Sequence, residues 1–571
     1  MRSRNATLWL SLAAIVGIGA ALRVIGLGFG LPAVYNPDEV AIMNRAVALG
    51  QNRLNPGNFL YPSLYFYGLF VWEGLLFVTG WMAGRFDSLA AFEQEFFTNP
   101  SIHYLAGRFF SVVCGVVTLV ATWGLARRMF GAVAGLSAAA LLAVAPLAVR
   151  DAHYVKHDVP VTLLIVLVHL ALAIGVQARV KRWWWIAGAL AGLALSTHYY
   201  AVFVLVPLVC IVSMPMEPGE PARARMNRTV AILLVAGGAF LAASPFLIVE
   251  AGTAYRDMVA NREIVVDRAT TTGGAFASLS FYLSWLGSDA SGRIAAALAL
   301  GGALLAVRTG YVRVVLTLVF PAVFILSMAN TVPASRYLNP VLPFLAVLGG
   351  AVVAGVAVGD RRRQGLAVLV LAAACVDAGL MSLRADLFFR QDDTRTQALT
   401  WFETHVPEGA SVLIQPYSVP LRTSRNGLVE ALTHHLGSAD RASVKFRRQL
   451  ALEPYPAPAF RTIYLGSGGL DVDKIYVPPD AFTAGAGLEA LRRMGVTYVV
   501  MKRYNVEDPA VAPLGGALKR EGKLAATFSP YGTETGDPRR REVAPFLHNS
   551  DARIDRSLER PGPIIDIWTI H

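Results

Sequence analysis

The sequence predicts a polytopic α-helical membrane protein that carries a soluble α/β domain at its C-terminal end. Three observations predict this fold class. The 571 residues are 55% hydrophobic and 16% charged, with a mean hydropathy of +0.49, which is too apolar for an ordinary soluble protein. Apolar runs of about 20 residues recur through residues 1–385, and runs of that length cross a bilayer as helices. Beyond about residue 386, charged residues, Pro and Gly become frequent and short β-like runs appear.

Nine stretches are apolar and long enough to span the membrane as single helices. They are residues 7–27, 104–126, 130–149, 159–179, 229–249, 290–307, 313–330, 337–357 and 364–383. The first is predicted to be a retained anchor rather than a signal peptide, because no convincing small-residue cleavage site follows it. Residues 183–214 are too long for one upright helix and have a polar break near residues 196–199. They are predicted to form two short helices, giving about eleven spans.

Basic clusters between the spans set the predicted orientation, because positive charge favours the cytoplasmic face. If residues 183–214 cross twice, six clusters fall on that face together with the N-terminus. The clusters are Arg2/Arg4, Arg127/Arg128, Arg179/Lys181/Arg182, Arg223/Arg225/Arg228, Arg308/Arg313 and Arg361/Arg362/Arg363. Residues 64–83 contain Glu73 and would reverse this pattern as a span, so we predict a helix at the outer surface or dipping partly into it.

We expect two domains, a transmembrane domain at residues 1–385 and an extracytoplasmic α/β domain at residues 386–571. In the second domain, β-like runs at residues 411–414, 462–465 and 496–501 predict strands. Helical patterns lie at about residues 394–404 and 488–494. A domain of this size can bury its own core.

Composition and motifs exclude several classes of function. The net charge of +12 reflects clusters between spans rather than a nucleic-acid surface, so no nucleic-acid partner is expected. The three cysteines lie in apolar segments, which argues against disulfides or a zinc site. No phosphate-binding Gly-x-x-x-x-Gly-Lys occurs, which argues against a nucleotide-driven pump. Metal-ligand signals are weak: His153 and His157 lie in a predicted loop, and Asp471 and Asp473 in a predicted solvated turn.

The first outer loop, residues 28–103, contains the adjacent carboxylates Asp38 and Glu39 just after the first span. Ionisable groups beside lipid are costly and tend to mark substrate sites. The same loop holds Tyr61 in an aromatic, proline-containing stretch suited to the membrane interface. The alternative is that Asp38 only caps the following helix, predicted at residues 40–49.

Further candidates lie at three other points on the predicted outer face. The second outer loop is dense in charge and holds Lys156, His157 and Asp158, although a hydrated turn would also explain it. His198 lies at the tip of the short helical pair, where it could equally be a helix cap. Arg336 and Tyr337 begin a span; snorkelling would explain the arginine, but a guanidinium also binds phosphate bidentately.

These groups suit transfer of a sugar from a lipid-linked phosphate donor. A phosphate leaving group is weakly basic, so one carboxylate base and cationic stabilisation suffice. Asp38 is the candidate base, and Glu39 and Asp158 would orient it or the acceptor. Lys156, His198 and Arg336 would hold the phosphate, with His157, Tyr61 and Tyr337 as further substrate-binding candidates. The partners would be a polyprenyl-phosphate-linked sugar, an acceptor glycan, lipid or protein, and the bilayer.

The sequence also resembles a known family. The resemblance is carried by Pro37-Asp38-Glu39, Tyr61-Pro62-Ser63-Leu64-Tyr65, the run at residues 126–131 with Pro146 and Asp158-Val159-Pro160, residues 192–197 and the run at residues 336–343. Together these motifs look like those of the dolichyl-phosphate-mannose protein mannosyltransferase and aminoarabinose transferase superfamily of GT-C glycosyltransferases. The resemblance covers roughly residues 10 to 385, in the right order.

This resemblance implies an inverting, polyprenyl-phosphate-sugar-dependent transferase in a bacterial inner membrane. The acidic pair would lie at the catalytic site, and no divalent metal or other cofactor would generally be required. Two positions depart from the pattern: His198 stands where bacterial relatives often carry Lys, and Ser63 where they commonly have Pro. The alternatives are an oligosaccharide ligase or polymerase acting on lipid-pyrophosphate glycans and a transporter. The small number of charges at mid-membrane depth argues against the transporter.

Overall fold

The computed structural model describes residues 2–266, 274–468, 471–482, 487–504, 509–532, 543–548 and 553–570. The chain divides into two compact units that are interleaved in sequence. Unit 1 comprises Met1–Leu27, Asp38–Thr79 and His103–Leu387, and unit 2 comprises Gly28–Pro37, Gly80–Ile102 and Phe388–His571.

Helices dominate the chain up to residue 389. In chain order the helices are α1 Arg2–Val24, α2 Pro37–Ala48, α3 Leu64–Met82, α4 Leu89–Thr98, α5 Ser101–Phe130, α6 Ala132–Ala143, α7 Pro146–Asp151, α8 Asp158–Ala178, α9 Arg182–Thr197, α10 Leu205–Val212, α11 Ala222–Ala243, α12 Phe246–Val249, α13 Ala251–Val265, α14 Gly274–Trp285, α15 Arg293–Arg308, α16 Tyr311–Val314, α17 Phe320–Met328, α18 Leu342–Val356, α19 Arg361–Phe389, α20 Thr394–His405, α21 Arg425–Leu436, α22 Val444–Leu450, α23 Glu489–Arg493 and α24 Ala512–Glu521. Short 3-10 segments, Tyr199–Val204 and Ser335–Val341, precede α10 and α18.

Eight helical stretches in the described part of the chain are long and apolar enough to cross a membrane, or nine if a bent pair counts as one span. They are Ala6–Val24, Leu64–Met82, Ser101–Phe130, Asp158–Ala178, Ala222–Ala243, Tyr311–Met328, Ser335–Val356 and Arg361–His405; the bent pair is Ala277–Ala290 with Arg293–Arg308. The chain is therefore a multi-pass membrane protein, as predicted.

The set of spans differs from the predicted eleven in three ways. The two short helices predicted to cross within residues 183–214, α9 with 16 residues and α10 with 8, are not among the stretches long enough to span. Residues 130–149 are not one helix: α6 ends at Ala143, and Pro146 stands in the first turn of α7, because proline cannot continue a helix from its interior. In contrast to the predicted surface helix, α3 is long and apolar enough to be a span. Its Glu73 is buried and lies 2.8 Å from Nδ1 of His103, so this charge does not require the helix to stay at the surface.

The predicted break in residues 183–214 is confirmed, because α9 ends at Thr197 and a new segment starts at Tyr199. A close approach of α9 to α11 holds this part of unit 1 together. A Cβ added at Gly192 would lie 2.1 Å from the carbonyl oxygen of Ala236, so only glycine allows this helix spacing. Near the end of α9, the hydroxyl of Ser196 lies 2.5 Å from that of Ser244, which accepts from the backbone N–H of Ser63.

Unit 2 is built on a six-stranded sheet in the order β3-β2-β1-β4-β6-β5. The strands are β1 Ser411–Ile414, β2 Arg461–Leu465, β3 Ile475–Val477, β4 Tyr498–Arg503, β5 Lys523–Phe528 and β6 Ile564–Thr569. The pairs among β3, β2, β1 and β4 are parallel, whereas β6 is antiparallel to both β4 and β5. The predicted mixed α/β domain is therefore confirmed, with all three predicted strands and both predicted helices present.

Two segments of the first outer loop, Gly28–Pro37 and Gly80–Ile102, belong to unit 2. The first of them is held by hydrogen bonds and a cation–π contact. The hydroxyl of Tyr35 lies 2.6 Å from Oγ1 of Thr396, and the guanidinium of Arg395 lies 3.9 Å from the centre of the Tyr35 ring. Nδ2 of Asn36 donates to the carbonyl of His548 at 2.9 Å. Pro37 ends this segment, and the next residue, Asp38, belongs to unit 1.

Candidate active site

One face of α2 lines a cavity of about 210 Å³ in unit 1. Asp38, Ala41, Ile42 and Arg45 contribute to it, and residues at i, i+3, i+4 and i+7 share a helix face. Seven residues from other parts of unit 1 complete the lining. They are Leu60, Tyr61, Lys156, His157, Asp158, His198 and Arg336. The cavity therefore joins most of the candidates that sequence analysis found in separate loops.

Asp38 lies between two cations at this cavity. Its Oδ2 is 3.2 Å from Nζ of Lys156 and 3.5 Å from Nη1 of Arg336, and its side chain is 45% exposed. Burial alone would raise the pKa of Asp38, but the charges of Lys156 and Arg336 outweigh this effect and hold the pKa below its ordinary value. Asp38 is therefore an ionised, solvent-accessible carboxylate at neutral pH.

Glu39 is placed differently from its neighbour. Its side chain is fully buried, and both carboxylate oxygens accept from Arg108, at 3.0 Å from Nε and 3.0 Å from Nη2. The backbone N–H of Val155 also donates to Glu39 at 3.0 Å. Glu39 is not among the residues that line the cavity. The sequence placed Glu39 at the catalytic site, where it would orient Asp38 or the acceptor. These contacts show that it holds the start of α2, and its part in catalysis stays a prediction.

Asp158 is buried at the start of α8 and lines the same cavity. The hydroxyl of Tyr200 donates to its Oδ1 at 3.2 Å, and its own backbone carbonyl accepts from Thr162 at 2.6 Å. Tyr200 lies just after the break that follows α9. This contact holds one carboxylate oxygen of Asp158 in place at the cavity wall.

Aromatic rings form another wall of the cavity. The ring of His157 stacks on Tyr61 at 4.3 Å and meets His198 edge-on at 6.1 Å. His157 is buried, and its Nε2 has no hydrogen-bond partner among the described residues. Burial lowers the pKa of His157 to about 3, and the nearby arginines Arg45 and Arg336 add to the shift. His157 is therefore neutral at physiological pH.

His198 combines the two roles that the sequence left open. Its Nδ1 accepts from the backbone N–H of Tyr200 at 3.3 Å, which is a capping contact. Its ring also stacks on that of Tyr200 at 3.7 Å and lines the cavity. Capping thus fixes the orientation of the ring.

Buried polar contacts anchor the 3-10 segment that carries Arg336. Asp151 accepts from Nε of Arg150 at 2.9 Å and from Nδ2 of Asn339 at 2.6 Å. Nη2 of Arg150 also donates to the hydroxyl of Ser335 at 2.9 Å. These bonds tie the end of α7 to the residues on both sides of Arg336.

Tyr337, predicted to bind substrate, is buried and is not among the residues that line the cavity. Its ring lies 6.0 Å from that of Tyr200.

Tyr61 is held by a loop that is bound to α13. The backbone N–H of Phe59 donates to Asp257 at 2.6 Å, and the carbonyl of Leu60 accepts from Asn261 at 2.7 Å. The hydroxyl of Tyr199 donates to the carbonyl of Phe59 at 2.9 Å. These bonds fix the two residues just before Tyr61 and so hold its ring at the cavity.

The described residues contain no group of three or more His, Cys, Asp or Glu side chains arranged to hold a metal ion. His153, which has helical spacing to His157, is fully buried and directs its two ring nitrogens to the carbonyls of Val149 and Ile25, at 2.9 and 2.8 Å. Asp471 is bound to Lys474 at 2.9 Å. The expectation that no metal is required stays a prediction.

Sequence analysis missed three residues that shape the site. Arg45 lies two helical turns after Asp38 and lines the cavity. The i+7 spacing could have indicated that the two residues share a helix face. Arg108 and Tyr200 were not identifiable, because each acts through a partner 69 or 42 positions away in the chain. Local sequence carries no information about such pairs.

Comparison with known proteins identifies the fold. Residues 94–249 match the family model described as dolichyl-phosphate-mannose-protein mannosyltransferase. No curated protein matches the chain significantly. The chain is similar to the crystal structure of ArnT from Cupriavidus metallidurans bound to undecaprenyl phosphate, with a TM-score of 0.51 and 14% identity over 91% of this chain and 96% of that chain. The oligosaccharyltransferase of Archaeoglobus fulgidus aligns with a TM-score of 0.49 and 12% identity over 87% of this chain and 69% of that chain.

The fold is that of a polytopic membrane protein of the GT-C type. The predicted resemblance to the GT-C superfamily is confirmed. The likeness to ArnT shows the fold, and residues 94–249 carry the sequence pattern of the mannosyltransferase family.

Proposed function

We propose that this protein is an inverting glycosyltransferase that moves a sugar from a polyprenyl-phosphate donor to an acceptor hydroxyl. The observation that carries the proposal is the position of Asp38, an ionised carboxylate at a cavity, with its Oδ2 3.2 Å from Lys156 and 3.5 Å from Arg336. A base and two cations next to one another supply what displacement of a phosphate at an anomeric carbon requires.

In the proposed reaction, Asp38 takes the proton of the acceptor hydroxyl. The hydroxyl oxygen forms a bond to the anomeric carbon on the face opposite the phosphate. The bond between that carbon and the phosphate oxygen breaks, and its electron pair leaves with the polyprenyl phosphate. The configuration at carbon is inverted, because one displacement takes place.

The ion pairs of Asp38 suggest how donor binding prepares the base. Lys156 and Arg336 lower the pKa of Asp38, which weakens it as a base. A donor phosphate that binds these two cations takes over their charge, so the pKa of Asp38 rises toward its ordinary value. Arg336 suits this task because its planar guanidinium matches phosphate oxygens bidentately. The base is then strongest when the donor is in place.

The remaining residues have supporting roles in this proposal. Asp158 orients the acceptor, while His157, His198 and Tyr61 form the wall against the sugar or phosphate. Tyr337 supports Arg336 from behind, and Glu39 positions the start of α2. Because Lys156 and Arg336 meet the charge of the leaving phosphate, we expect no requirement for a divalent metal, and chelation with EDTA should leave the rate unchanged.

The comparisons support a lipid-phosphate donor. The ArnT structure to which this chain is similar was determined with undecaprenyl phosphate bound, and the matching family is described by a dolichyl-phosphate sugar. With α3 at the outer surface, the distribution of basic clusters supports an N-terminus in the cytoplasm and a cavity on the extracytoplasmic side. We place the protein in a bacterial inner membrane, as the family resemblance implies. The acceptor would be a glycan, a lipid or a protein.

The test is complementation of a deletion strain, followed by mass spectrometry of its glycolipids and glycoproteins. The wild-type gene should restore one lost sugar residue. Asp38→Asn should reach the membrane in equal amount but reduce transfer by at least about a hundredfold, the size of a general-base contribution. Asp360→Asn, at an exposed helix start, is the matched control and should restore transfer fully. Transfer by Asp38→Asn at the wild-type rate would overturn the assignment.

A further inference from the structure

The cavity that contains Asp38 holds a third cation, which the proposed reaction does not use. Arg45 is half-buried and lines this cavity from the same face of α2 as Asp38. Its guanidinium lies 6.0 Å from the centre of the Phe66 ring, at the outer limit of a cation–π contact. Within the part of the chain that the structure describes, no hydrogen bond or ion pair joins Arg45 to a partner.

The other two cations of the cavity are paired with a carboxylate. Lys156 and Arg336 lie 3.2 and 3.5 Å from Oδ2 of Asp38, and in the proposed function they receive the donor phosphate. Arg45 follows Asp38 by two helical turns, which is about 10 Å along the axis of α2. The cavity therefore has a paired cationic end at Asp38 and an unpaired cation further along the same helix.

The nearest opposite charge does not pair with Arg45. Burial lowers the pKa of Arg45, and the Tyr61 phenol and the Asp257 carboxylate offset this only in part. Asp257 instead accepts from the backbone N–H of Phe59 at 2.6 Å. An arginine side chain stays charged in proteins, so Arg45 is a partly desolvated cation at a cavity wall. Such groups tend to mark functional sites.

Two stacked rings connect the cationic ends of the cavity. The rings of Tyr61 and His157 are 4.3 Å apart. Arg45 and Arg336 both lower the pKa of His157, and both interact electrostatically with the phenol of Tyr61. An aromatic wall packs against the apolar C–H face of a sugar ring. A sugar that lies on this wall has one edge toward Arg336 and the other toward Arg45.

The size of the cavity fixes which part of the sugar meets Arg45. Its volume of about 210 Å³ is below the range of sites for drug-sized ligands and suits a single sugar ring. In the proposed function the anomeric carbon, C1, lies at Asp38. C4 is opposite C1 across a six-membered ring, so the C4 edge of the sugar extends toward Arg45.

The charges that line the cavity restrict the sugar further. Three cations, Arg45, Lys156 and Arg336, face the two carboxylates of Asp38 and Asp158. Both lining histidines have a pKa lowered by burial and are neutral. The single negative charge of a donor phosphodiester then balances the cavity. An uncharged sugar keeps this balance, whereas an ammonium group on the sugar adds an unpaired positive charge beside Arg45.

We propose that Arg45 determines which sugar is transferred, because it binds a hydroxyl oxygen at the C4 edge and rejects a sugar with an amino group there. The inference rests on the proposed function, which places the donor phosphate at the other end of the cavity. A guanidinium has five N–H donors and no acceptor, so it binds a hydroxyl oxygen but repels an ammonium group. Repulsion of this kind excludes a wrong substrate more sharply than attraction alone.

The test measures donor binding to the full-length protein in nanodiscs, without acceptor, so that no transfer takes place. The probes are undecaprenyl phosphate carrying glucose or galactose, the 4-amino-4-deoxy counterpart of each, and undecaprenyl phosphate without a sugar. Glucose and galactose present the C4 group in its two orientations. The wild type should bind at least one hydroxyl donor about ten- to a hundredfold more tightly than its amino counterpart, the worth of a charge-assisted hydrogen bond.

Charge reversal at Arg45 gives the sharpest variant. Arg45→Glu should reverse the preference, because a carboxylate accepts from an ammonium group, and a misfolded protein cannot gain affinity for the amino donor. Arg45→Gln should bring the two affinities close to each other. Arg53→Glu is the matched control, because Arg53 is exposed just after α2 and does not line the cavity; it should keep the wild-type preference. Undecaprenyl phosphate without a sugar should bind all of these proteins alike.

Equal binding of the hydroxyl and amino donors by the wild type would overturn the inference, as would a wild-type preference that persists in Arg45→Glu. If Arg45→Glu does not fold, Arg45→Gln decides in the same way. An equal loss of affinity for undecaprenyl phosphate and for the sugar donors in Arg45→Gln would show that Arg45 binds phosphate, not the sugar. Undecaprenyl phosphate that does not bind the wild type would refute the proposed function itself, whereas the other results refute only the role of Arg45.

Discussion

Nε and Nη2 of Arg108 each lie 3.0 Å from a carboxylate oxygen of Glu39, and neither side chain is exposed. Nη1 of Arg108 also donates to the carbonyl of Leu27 at 2.8 Å. The pair thus connects α2 to α5 and, through the carbonyl of Leu27, to the residues that follow α1. Consecutive residues of a helix point about 100° apart, so a buried Glu39 directs Asp38 toward the cavity.

Glu39→Gln should destabilise the protein more than it impairs the chemistry. Removing one partner leaves Arg108 as an uncompensated buried charge, which costs roughly 3–5 kcal/mol. We expect a lower apparent Tm in detergent and less folded protein in the membrane. Sugar transfer per folded molecule should fall far less than in Asp38→Asn. Transfer lost to the same extent as in Asp38→Asn, at an unchanged Tm, would show instead that Glu39 takes part in the reaction.

Arg336→Lys should weaken donor binding although it keeps the charge. A lysine cannot reproduce the bidentate contact with phosphate, and a lost charge-assisted hydrogen bond is worth about ten- to a hundredfold in affinity. The expected result is a higher KM for the polyprenyl-phosphate donor with a smaller change in kcat, measured by steady-state kinetics. Arg293→Lys, on an exposed side chain at the start of α15, serves as the control. An unchanged donor KM in Arg336→Lys would argue against phosphate binding by this residue.

His157 should make the protein less stable in acid. Its pKa is about 3 when folded, against 6.5 for an ordinary histidine. The unfolded chain therefore binds the extra proton first, so the stability that depends on neutral His157 is present above about pH 6.5 and is lost as the pH falls toward 3. His157→Phe keeps an aromatic ring against Tyr61 but cannot titrate.

Thermal unfolding of the two proteins at a series of pH values checks this expectation. The Tm of the wild type should fall more steeply than that of His157→Phe as the pH is lowered from neutral to about 5. Parallel curves would mean that His157 is not held neutral in the folded protein.

Gly192→Ala should disturb helix packing at the break that carries His198. The added Cβ would lie 2.1 Å from the carbonyl oxygen of Ala236, an atom of the α11 backbone, so the helices must separate. Overpacking of this kind typically costs roughly 1–3 kcal/mol. Gly238→Ala, on α11, has no atom within 4 Å of the new Cβ and should leave the Tm unchanged or slightly raised. The Tm values of the two variants provide the test, and equal values would contradict the packing argument.

Local patterns predicted part of this structure well. The break after Thr197 and the three predicted strands follow from short-range polarity and alternation, which the sequence displays directly. Asp38 was identifiable because a carboxylate at a membrane exit needs a partner. The count of spans was not predictable from hydropathy alone, since α6 is apolar but has 12 residues, about 18 Å of helix. The role of Glu39 could not be predicted, because it depends on Arg108, 69 positions away, and no local sequence pattern indicates such a pair.

The membership of Tyr35 and Asn36 in unit 2 has a consequence for biosynthesis. Their hydrogen-bond partners Thr396 and His548 lie 361 and 512 positions later in the chain. At roughly 5–20 residues per second, translation reaches these partners tens of seconds after the early segment has left the ribosome. Residues 28–37 therefore cannot form these two contacts until residues 396 and 548 have been synthesised. A chain that ends before residue 396 lacks both partners, and one that ends between residues 396 and 548 lacks His548. Either truncation removes contacts that anchor the segment just before α2.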